Sequence, residues 1–492
     1  MSRLGTVTKR SPHDLRVLPP LAKRLADGRP VMTREQLITL GQRVLRMSTL
    51  GGVDVKVTHT ARTITRMAND RVLTSDDGDT LQIGLTMGVY PTVAQFNTNQ
   101  LDDTALLAGV RQCEELLRTS PWYSPEQWIK HEVKLQEPTV PVKLWHESTI
   151  QAMTTTRDIV IPSILGSVLG ARLHAAGFLG LMARSEALVL KDDGVLFSSD
   201  ETDSEVTVTA RSYDGKRSGW GGRAARDWST VDYMKAATDA ITMATLCGAP
   251  FAVEPGRRTA ILAPQASIQI LQFLADEFDA LNTDNGYTAL SKAPPPKGGN
   301  KLRQRILDPR VNMSSDPADP DGGYRPYFDP GCATPAMTWV KDGVLVNMAY
   351  DQGYGLDRGK PYAERPYSLR LNGGPTTVEE MIASCKEGIY VNRFSDVHLL
   401  DLHSGMTTGV TRDGCFLVKD GKLTKAVKNF RFLESPFFFL NKIVALGVPT
   451  RAAFGYTPPT PGHGGFVWPR PPIIAPPMMV EDFNFSALAD FV

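Results

Sequence analysis

The sequence predicts an α+β protein with a small N-terminal domain, built from helices and an antiparallel meander, and a larger β-rich C-terminal domain. Residues 53–89 alternate between apolar and polar side chains or run through β-branched residues, which is typical of strands. From residue 307 onward, short strand-like segments are separated by turn residues. A chain of 492 residues is long enough for roughly two to four domains.

The N-terminal domain is predicted to span residues 1–125. An amphipathic helix is expected over residues 30–47, where Thr33 precedes a Leu/Ile pattern, and a second helix begins at Asp102. A turn between strands is expected at Asp77-Gly78. The predicted strand segments are 53–60, 63–68, 71–74 and 81–89.

The rest of the chain is divided into a middle α+β segment, 126–248, and the C-terminal domain, 249–492. A Gly-rich run that begins at Gly215 is expected to be a loop that re-aims the backbone, because no phosphate-binding motif precedes it. The C-terminal domain is expected to contain helices over 264–281 and 437–446. It ends in a Pro-rich tail, 458–477, expected to lie as an extended strap on the surface.

Composition narrows the function classes. The chain has 54 Lys and Arg against 53 Asp and Glu, a net charge of +1, which disfavours nucleic-acid binding through phosphates. Its five Cys residues form no CxxC pair, so neither a disulfide framework nor a thiolate zinc site is indicated. The most apolar stretch, 159–190, is interrupted by charges, and no signal peptide is recognisable. We therefore expect a cytoplasmic protein without a membrane partner.

Several segments in a fixed order carry the main functional signal. The strongest is Thr408–Gly414, TGVTRDG, followed by FLV, GK and VKNFRF up to Phe432. Upstream of it lie FDPG with KDGVL at 328–345, and EEMI with GIYV at 379–391. Together they resemble the TldD/PmbA family, intracellular proteins typically found as a paired TldD–TldE complex. The resemblance implies a metallopeptidase complex that trims small or unfolded peptides.

The catalytic TldD branch of that family carries HExxxH on a helix and a distant Cys, which hold zinc, while the Glu deprotonates a bound water. In an ungapped match from Pro264, Gln272 and Glu277 stand at the two His positions and Phe273 at the Glu position. No Cys follows Cys415. The resemblance therefore implies a TldE (PmbA)-like subunit with no catalytic residue and no cofactor of its own. Zinc is expected in a TldD-like, HExxxH-bearing partner of a heterodimer whose substrate is a peptide.

Thr411, Arg412 and Asp413 are the predicted substrate- or partner-binding residues. If their segment is a strand edge, where Gly409 allows another backbone to approach, Arg412 is expected to reach a peptide carboxylate or a partner acid. An extended peptide is expected to bind by strand addition. The alternative is a structural turn in which Asp413 accepts hydrogen bonds from backbone amides.

Two other functions stay open. His398 and His403 have the spacing of HExxxH, although Leu399 stands where Glu is required, and a metal site there would make the chain an autonomous hydrolase. His463 lies near the position of the family's Cys ligand, whereas His131-Glu132 is interpreted as a chance dipeptide. The second of these functions is regulation by protein binding, as a factor of the gyrase-modulator type, since the family is linked to modulation of DNA gyrase.

Overall fold

The computed structural model describes residues 19–89, 92–120, 142–190, 196–246, 248–325, 327–328, 332–454 and 471–489. In this part of the chain, no helix is both long enough and apolar enough to cross a bilayer. The helices are α1 (Leu21–Ala26), α2 (Arg34–Leu45), α3 (Asp103–Thr119), α4 (Glu147–Thr155), α5 (Arg157–Gly170), α6 (Tyr233–Thr245), α7 (Pro264–Leu271), α8 (Leu274–Glu277), α9 (Ala280–Asp284), α10 (Gln352–Arg358), α11 (Val378–Ser384) and α12 (Pro436–Phe439). A short 3₁₀ helix covers Trp228–Thr230.

Strands make up the larger share of the structure and confirm the predicted α+β class. They are β1 (Val53–Ala68), β2 (Arg71–Val89), β3 (Thr92–Thr98), β4 (Leu173–Leu190), β5 (Leu196–Ser212), β6 (Ser218–Ala225), β7 (Gly256–Leu262), β8 (Met313–Ser315), β9 (Tyr327–Phe328), β10 (Cys332–Ala333), β11 (Met337–Lys341), β12 (Val344–Leu345), β13 (Leu369–Leu371), β14 (Glu387–Asp401), β15 (Met406–Lys419), β16 (Lys422–Ala426), β17 (Phe430–Glu434), β18 (Ile443–Leu446), β19 (Thr450–Arg451), β20 (Ile473–Ala475) and β21 (Met478–Leu488).

The N-terminal part is built on one antiparallel sheet of six strands in the order β3-β2-β1-β4-β5-β6. Because β1 pairs with β4, the segments predicted as 1–125 and 126–248 share this sheet. Helix α2 begins as predicted, with a capping box between Thr33 and Gln36. Apolar residues of α2 and α3 pack with one part of the sheet, and those of α5 and α6 pack with another.

The turn predicted at Asp77-Gly78 is wrong. Both residues lie inside β2, opposite Thr63 and Arg62 of β1. The hairpin instead turns at Asn69-Asp70, where φ is positive at both residues, 49° and 64°. A two-residue turn of this kind matches the right-handed twist of long strands, and Asn and Asp tolerate its left-handed conformation. The predicted meander is therefore one continuous hairpin at this point.

The Gly-rich run starts in a turn at Gly215, where φ is 70°, but from Ser218 it is a strand rather than the predicted loop. Gly219 and Gly221 belong to β6, which packs on α6. A Cβ atom at either position would lie 2.1 Å from a carbonyl oxygen of α6, that of Ala240 or Ala236. The glycines therefore let a sheet and an alanine-lined helix approach more closely than side chains would allow.

The C-terminal part contains two larger sheets. One has the order β12-β11-β8-β13-β20-β19. The other runs β14-β7-β21-β17-β15-β16, and β14 also pairs with β15, so five of its strands close into a small barrel. Aromatic side chains fill this barrel's core: Phe394, Phe430, Phe432, Phe483 and Phe485.

Three local predictions for the C-terminal part need correction. The helix expected over 264–281 is divided into α7, α8 and α9. The helix expected over 437–446 is only the four-residue α12, followed by strand β18. In the Pro-rich tail, residues 455–470 lie outside the described residues, and β20 pairs inside a sheet rather than lying on the surface.

Candidate functional site

The three residues at the matched zinc-motif positions lie where α7 ends and α8 begins. Gln272 caps the C-terminus of α7, and its side-chain amide donates a hydrogen bond to the carbonyl of Gln269 at 2.7 Å. Phe273 precedes α8. Glu277, at the end of α8, is only 3% exposed and accepts a hydrogen bond from the backbone amide of Ala289 at 2.7 Å. The helix is interrupted between the two matched His positions.

Burial raises the pKa of Glu277 to about 7. The hydrogen bond from Ala289 opposes this effect, while the negative charges of Asp276 and Asp401 add to it and Lys301 opposes it. One oxygen of this buried carboxyl group, Oε2, is thus already bonded to the backbone of residue 289.

These residues do not fit a zinc ion. A neutral amide, a phenyl ring and an inward-turned carboxylate supply neither the imidazole and thiolate ligands of such sites nor a base. Among the described residues, no group of three or more His, Cys, Asp and Glu side chains is placed to hold a metal ion. His131 and His463 lie outside the described residues.

A cavity of about 410 Å³ opens beside the end of α7. Gln272 lines it, whereas Glu277 does not. Its apolar lining comes from elements far apart in sequence: Leu271, Ala275, Pro366, Leu369, Phe454, Pro471 and Ile473. Arg365 and Asp276 also line it and form an ion pair at 2.8 Å. A cavity of this size and character suits an apolar side chain with polar groups beside it.

Thr411, Arg412 and Asp413 lie inside β15, which is not a sheet edge. The strand pairs with β14 on one side. On the other side Thr407–Val410 pair with β17 and Phe416–Lys419 pair with β16, so the strand edge predicted at Gly409 is wrong. The ring of Phe432, not another chain, occupies the space beside Gly409. A Cβ atom at position 409 would lie 2.8 Å from that ring. A peptide therefore cannot add as a strand along Thr408–Val410.

The predicted turn at Asp413 is also wrong, because the segment forms a β-bulge. Val391 pairs with Cys415 and Arg393 with Arg412, so Asn392 alone faces two residues of β15. Asp413 has φ 53° and Gly414 φ 125°. The Asn392 amide donates to the carbonyl of Asp413 at 2.9 Å. The bulge re-aims the side chains of Arg412 and Asp413.

The Asp413 carboxylate is 1% exposed and is paired with Arg393, whose Nε lies 2.7 Å from Oδ2. Burial by itself would raise the pKa of Asp413, but the positive charges of Arg393 and Arg412 outweigh it and lower the pKa. The guanidinium of Arg393 also lies over the ring of Trp220 at 5.5 Å. Asp413 is thus a buried counter-ion between strands.

Thr411 is fully buried, and Arg412 is the one of the three residues that a ligand can reach. The Thr411 hydroxyl accepts from the Phe430 amide at 2.9 Å and contacts Asn429 at 3.2 Å. The side chain of Arg412 is 33% exposed, and its Nε stands 3.9 Å from Asp413. It lines a cavity of about 260 Å³ together with Arg211 and Arg393. Sequence reasoning missed these two arginines because they come from strands distant along the chain.

His398 and His403 are both exposed and do not share an element. His398 lies in β14, with its Nε2 2.8 Å from Oδ1 of Asp396, and His403 lies in the turn that follows the strand. The metal site at this pair stays a prediction.

The comparisons with known proteins agree with this architecture. Residues 255–487 match the family described as the PmbA/TldA metallopeptidase C-terminal domain. The resemblance read from Thr408–Gly414 is thereby confirmed, and the domain contains the α7–α8 cavity, Arg393 and Arg412.

Solved structures extend the likeness over the whole fold. A proposed modulator of DNA gyrase from Thermotoga maritima has a TM-score of 0.72 at 16% identity, covering 90% of this chain and 98% of its own. A second proposed gyrase modulator, from Bacteroides thetaiotaomicron, gives 0.70 at 16% identity, covering 93% and 100%. TldE from Thermococcus kodakarensis gives 0.69 at 12% identity, covering 92% and 99%. At these identities the likeness establishes the PmbA/TldD fold alone. No curated protein matches the chain in sequence.

Proposed function

We propose that this chain is the metal-free, peptide-binding subunit of a cytosolic TldD/TldE-type metallopeptidase, and that an HExxxH-bearing partner subunit supplies the zinc and cleaves the peptide. The observation that carries the proposal is the residue set at the end of α7. In the ungapped match from Pro264, Gln272, Phe273 and Glu277 take the positions of the zinc motif, and neither their chemistry nor their hydrogen bonds suit a metal.

The role left to this chain is to bind substrate and to shape the cleft. The 410 Å³ cavity beside Gln272 supports it, because an apolar pocket with a charged pair among its lining residues is suited to one side chain of an extended peptide. Backbone polar groups of such a peptide would stay accessible to the partner's catalytic groups.

A surface for the partner is supported by exposed apolar side chains around the β14–β15 turn. Leu400, Leu402 and Phe438 are 58%, 52% and 57% exposed. The turn contacts α12, since the Ser435 hydroxyl donates to the carbonyl of Ser404. Exposed apolar residues on a turn and on the helix beside it are typical of protein–protein contacts. We call these three residues the turn patch.

Reconstitution tests the proposal. The purified chain is mixed with an HExxxH-bearing relative from the same organism, and cleavage of unstructured peptides is compared with that of each protein alone. We expect cleavage by the mixture only, abolished by Glu→Gln in the partner's motif and nearly unchanged by Gln272→Ala here. Elemental analysis of this chain after dialysis should find less than stoichiometric zinc.

Two results would support the other functions instead. Chelator-sensitive cleavage by this chain alone, lost on replacing His398 or His403, would indicate an autonomous hydrolase. Binding to DNA gyrase without any gain of peptide cleavage in the mixture would indicate a regulatory protein, the function proposed for two of the structural neighbours.

A further inference from the structure

The cavity at Arg412 concentrates positive charge where the two parts of the chain meet. Its lining comes from the β1–β2 turn and from β4, β5, β14 and β15: Ala68, Asn69, His174, Ala175, Ala176, Thr209, Arg211, Arg393, Arg412 and Asp413. Three arginines therefore line a space of about 260 Å³, and Asp413 is the one acidic residue in that lining. His174 contacts a different carboxylate, that of Asp70, at 2.6 Å.

The strand register makes this arrangement costly. Arg393 and Arg412 are direct cross-strand partners, and like charges at such positions destabilise a sheet. Asp413 neutralises Arg393 through two contacts, whereas it stands 3.9 Å from Arg412. Burial lowers the pKa of Arg412, Asp413 opposes this, and the positive charges of Arg393 and Arg211 lower it further. Among the described residues, Asp413 therefore neutralises Arg412 less effectively than it neutralises Arg393.

We propose that this cavity binds the free C-terminal carboxylate of a short peptide, with Arg412 and Arg211 as its charged contacts. An arginine fork matches the two oxygens of a carboxylate. The small side chains of Ala68, Ala175 and Ala176 leave space beside the fork for the last side chain of the peptide. The cavity lies just below the range of about 300–1,000 Å³ that holds whole small ligands, so it suits a chain end. This inference rests on the proposed function, in which the substrate is a peptide.

Calorimetric titration of the full chain tests the site with four probes: N-acetyl-trialanine with a free C-terminus, its C-terminal amide, an amide-capped tripeptide with a central aspartate, and inorganic phosphate. We expect the free acid to bind at least about tenfold more tightly than each of the others, since losing one charge-assisted contact costs about that factor. Equal binding of the amide, of the side-chain carboxylate or of phosphate would overturn the C-terminal assignment, as would no binding by any probe.

Variants then locate the site. Arg412→Gln should weaken free-acid binding about tenfold, and Arg412→Lys should recover part of it, because Lys retains the charge but not the fork. The matched control is Arg431→Gln, an exposed arginine on the adjacent β17 that does not line the cavity. Unchanged binding by Arg412→Gln would reject the proposal.

The two proposals fail separately. The titration uses this chain alone and needs no cleavage. Absence of cleavage in the reconstituted mixture therefore overturns the proposed function and leaves the carboxylate site standing. Intact cleavage with no preference for a free C-terminus overturns only the site.

Discussion

Glu277 illustrates how one buried carboxyl group makes stability depend on pH. Its pKa in the folded chain is about 7, above the ordinary value of 4.5. Between these values the folded state binds the proton more tightly, so its contribution to stability is full below about pH 4.5 and is lost as the pH rises through about 7. Neutralising the group should therefore help most at alkaline pH.

Glu277→Gln is expected to increase the free energy of unfolding by about 1–3 kcal/mol at pH 8 and by less at pH 5, because the amide oxygen still accepts from Ala289 and carries no charge. Urea denaturation at the two pH values measures the difference. Glu379→Gln, on the exposed face of α11, is the control and should change neither value. A loss of stability at pH 8 would contradict the assignment.

Asp413 and Arg412 are neighbours in sequence, but we expect Asp413 to contribute much more to the stability of the fold. Asp413→Asn removes the buried charge that pairs with the partly buried Arg393 and is expected to destabilise the chain by about 3–5 kcal/mol. Arg412→Gln should cost no more than about 0.5 kcal/mol, because its guanidinium is partly exposed and not closely paired. Chemical denaturation of both variants tests this, and comparable losses would show that Arg412 is structural.

The contact between β6 and α6 depends on the absence of side chains. Gly219→Ala and Gly221→Ala each place a Cβ atom 2.1 Å from a helix carbonyl and are expected to destabilise by about 1–3 kcal/mol through overpacking. Gly166→Ala is the matched control, since this exposed position of α5 has open space and should gain about 0.5–1 kcal/mol. Thermal unfolding of the three variants should show shifts of opposite sign, and a common sign would refute the close-packing explanation.

The bulge in β15 explains why residues 411–414, TRDG, identify the family but led to a wrong prediction of the local backbone structure. Asp followed by Gly is a turn signal, and both residues do adopt positive φ. The positive φ serves a bulge within a long strand because β14 supplies Asn392 opposite the pair. That partner lies 21 positions away in sequence, so the local pattern cannot distinguish the two outcomes.

For the whole assembly, the proposal that the turn patch binds the partner subunit can be tested by substitution. Leu402→Asp and Phe438→Asp are each expected to weaken association with the HExxxH-bearing subunit at least about tenfold, because a charge would be buried among apolar side chains. Size-exclusion chromatography of the mixed proteins measures it. Leu116→Asp, equally exposed but on α3, should leave the association intact. If it weakens association equally, or if the patch variants do not, the interface lies elsewhere.

Long amphipathic segments and the family-specific segments could be predicted from the sequence. Helix α2 with its Thr33 cap, helix α3 from Asp102 and the strands around residues 53–89 follow from local periodicity and capping chemistry, which act within a few residues. The unsuitability of Gln272, Phe273 and Glu277 for zinc is likewise a matter of residue type. These properties require no knowledge of distant contacts.

The folded structure determines everything that depends on pairing between distant segments. Strand pairing decides whether Thr408–Val410 is an edge or an interior segment, and whether the glycines after Gly215 form a loop or a packed strand. It also decides that Arg393 stands opposite Arg412. Hydrogen-bond pairing in a sheet has no sequence code comparable to helix periodicity, because each strand accepts many partners of suitable pattern. The burial and closure of the barrel select the register that pairs Arg393 with Arg412, and β5 of the N-terminal sheet brings Arg211 to the same cavity.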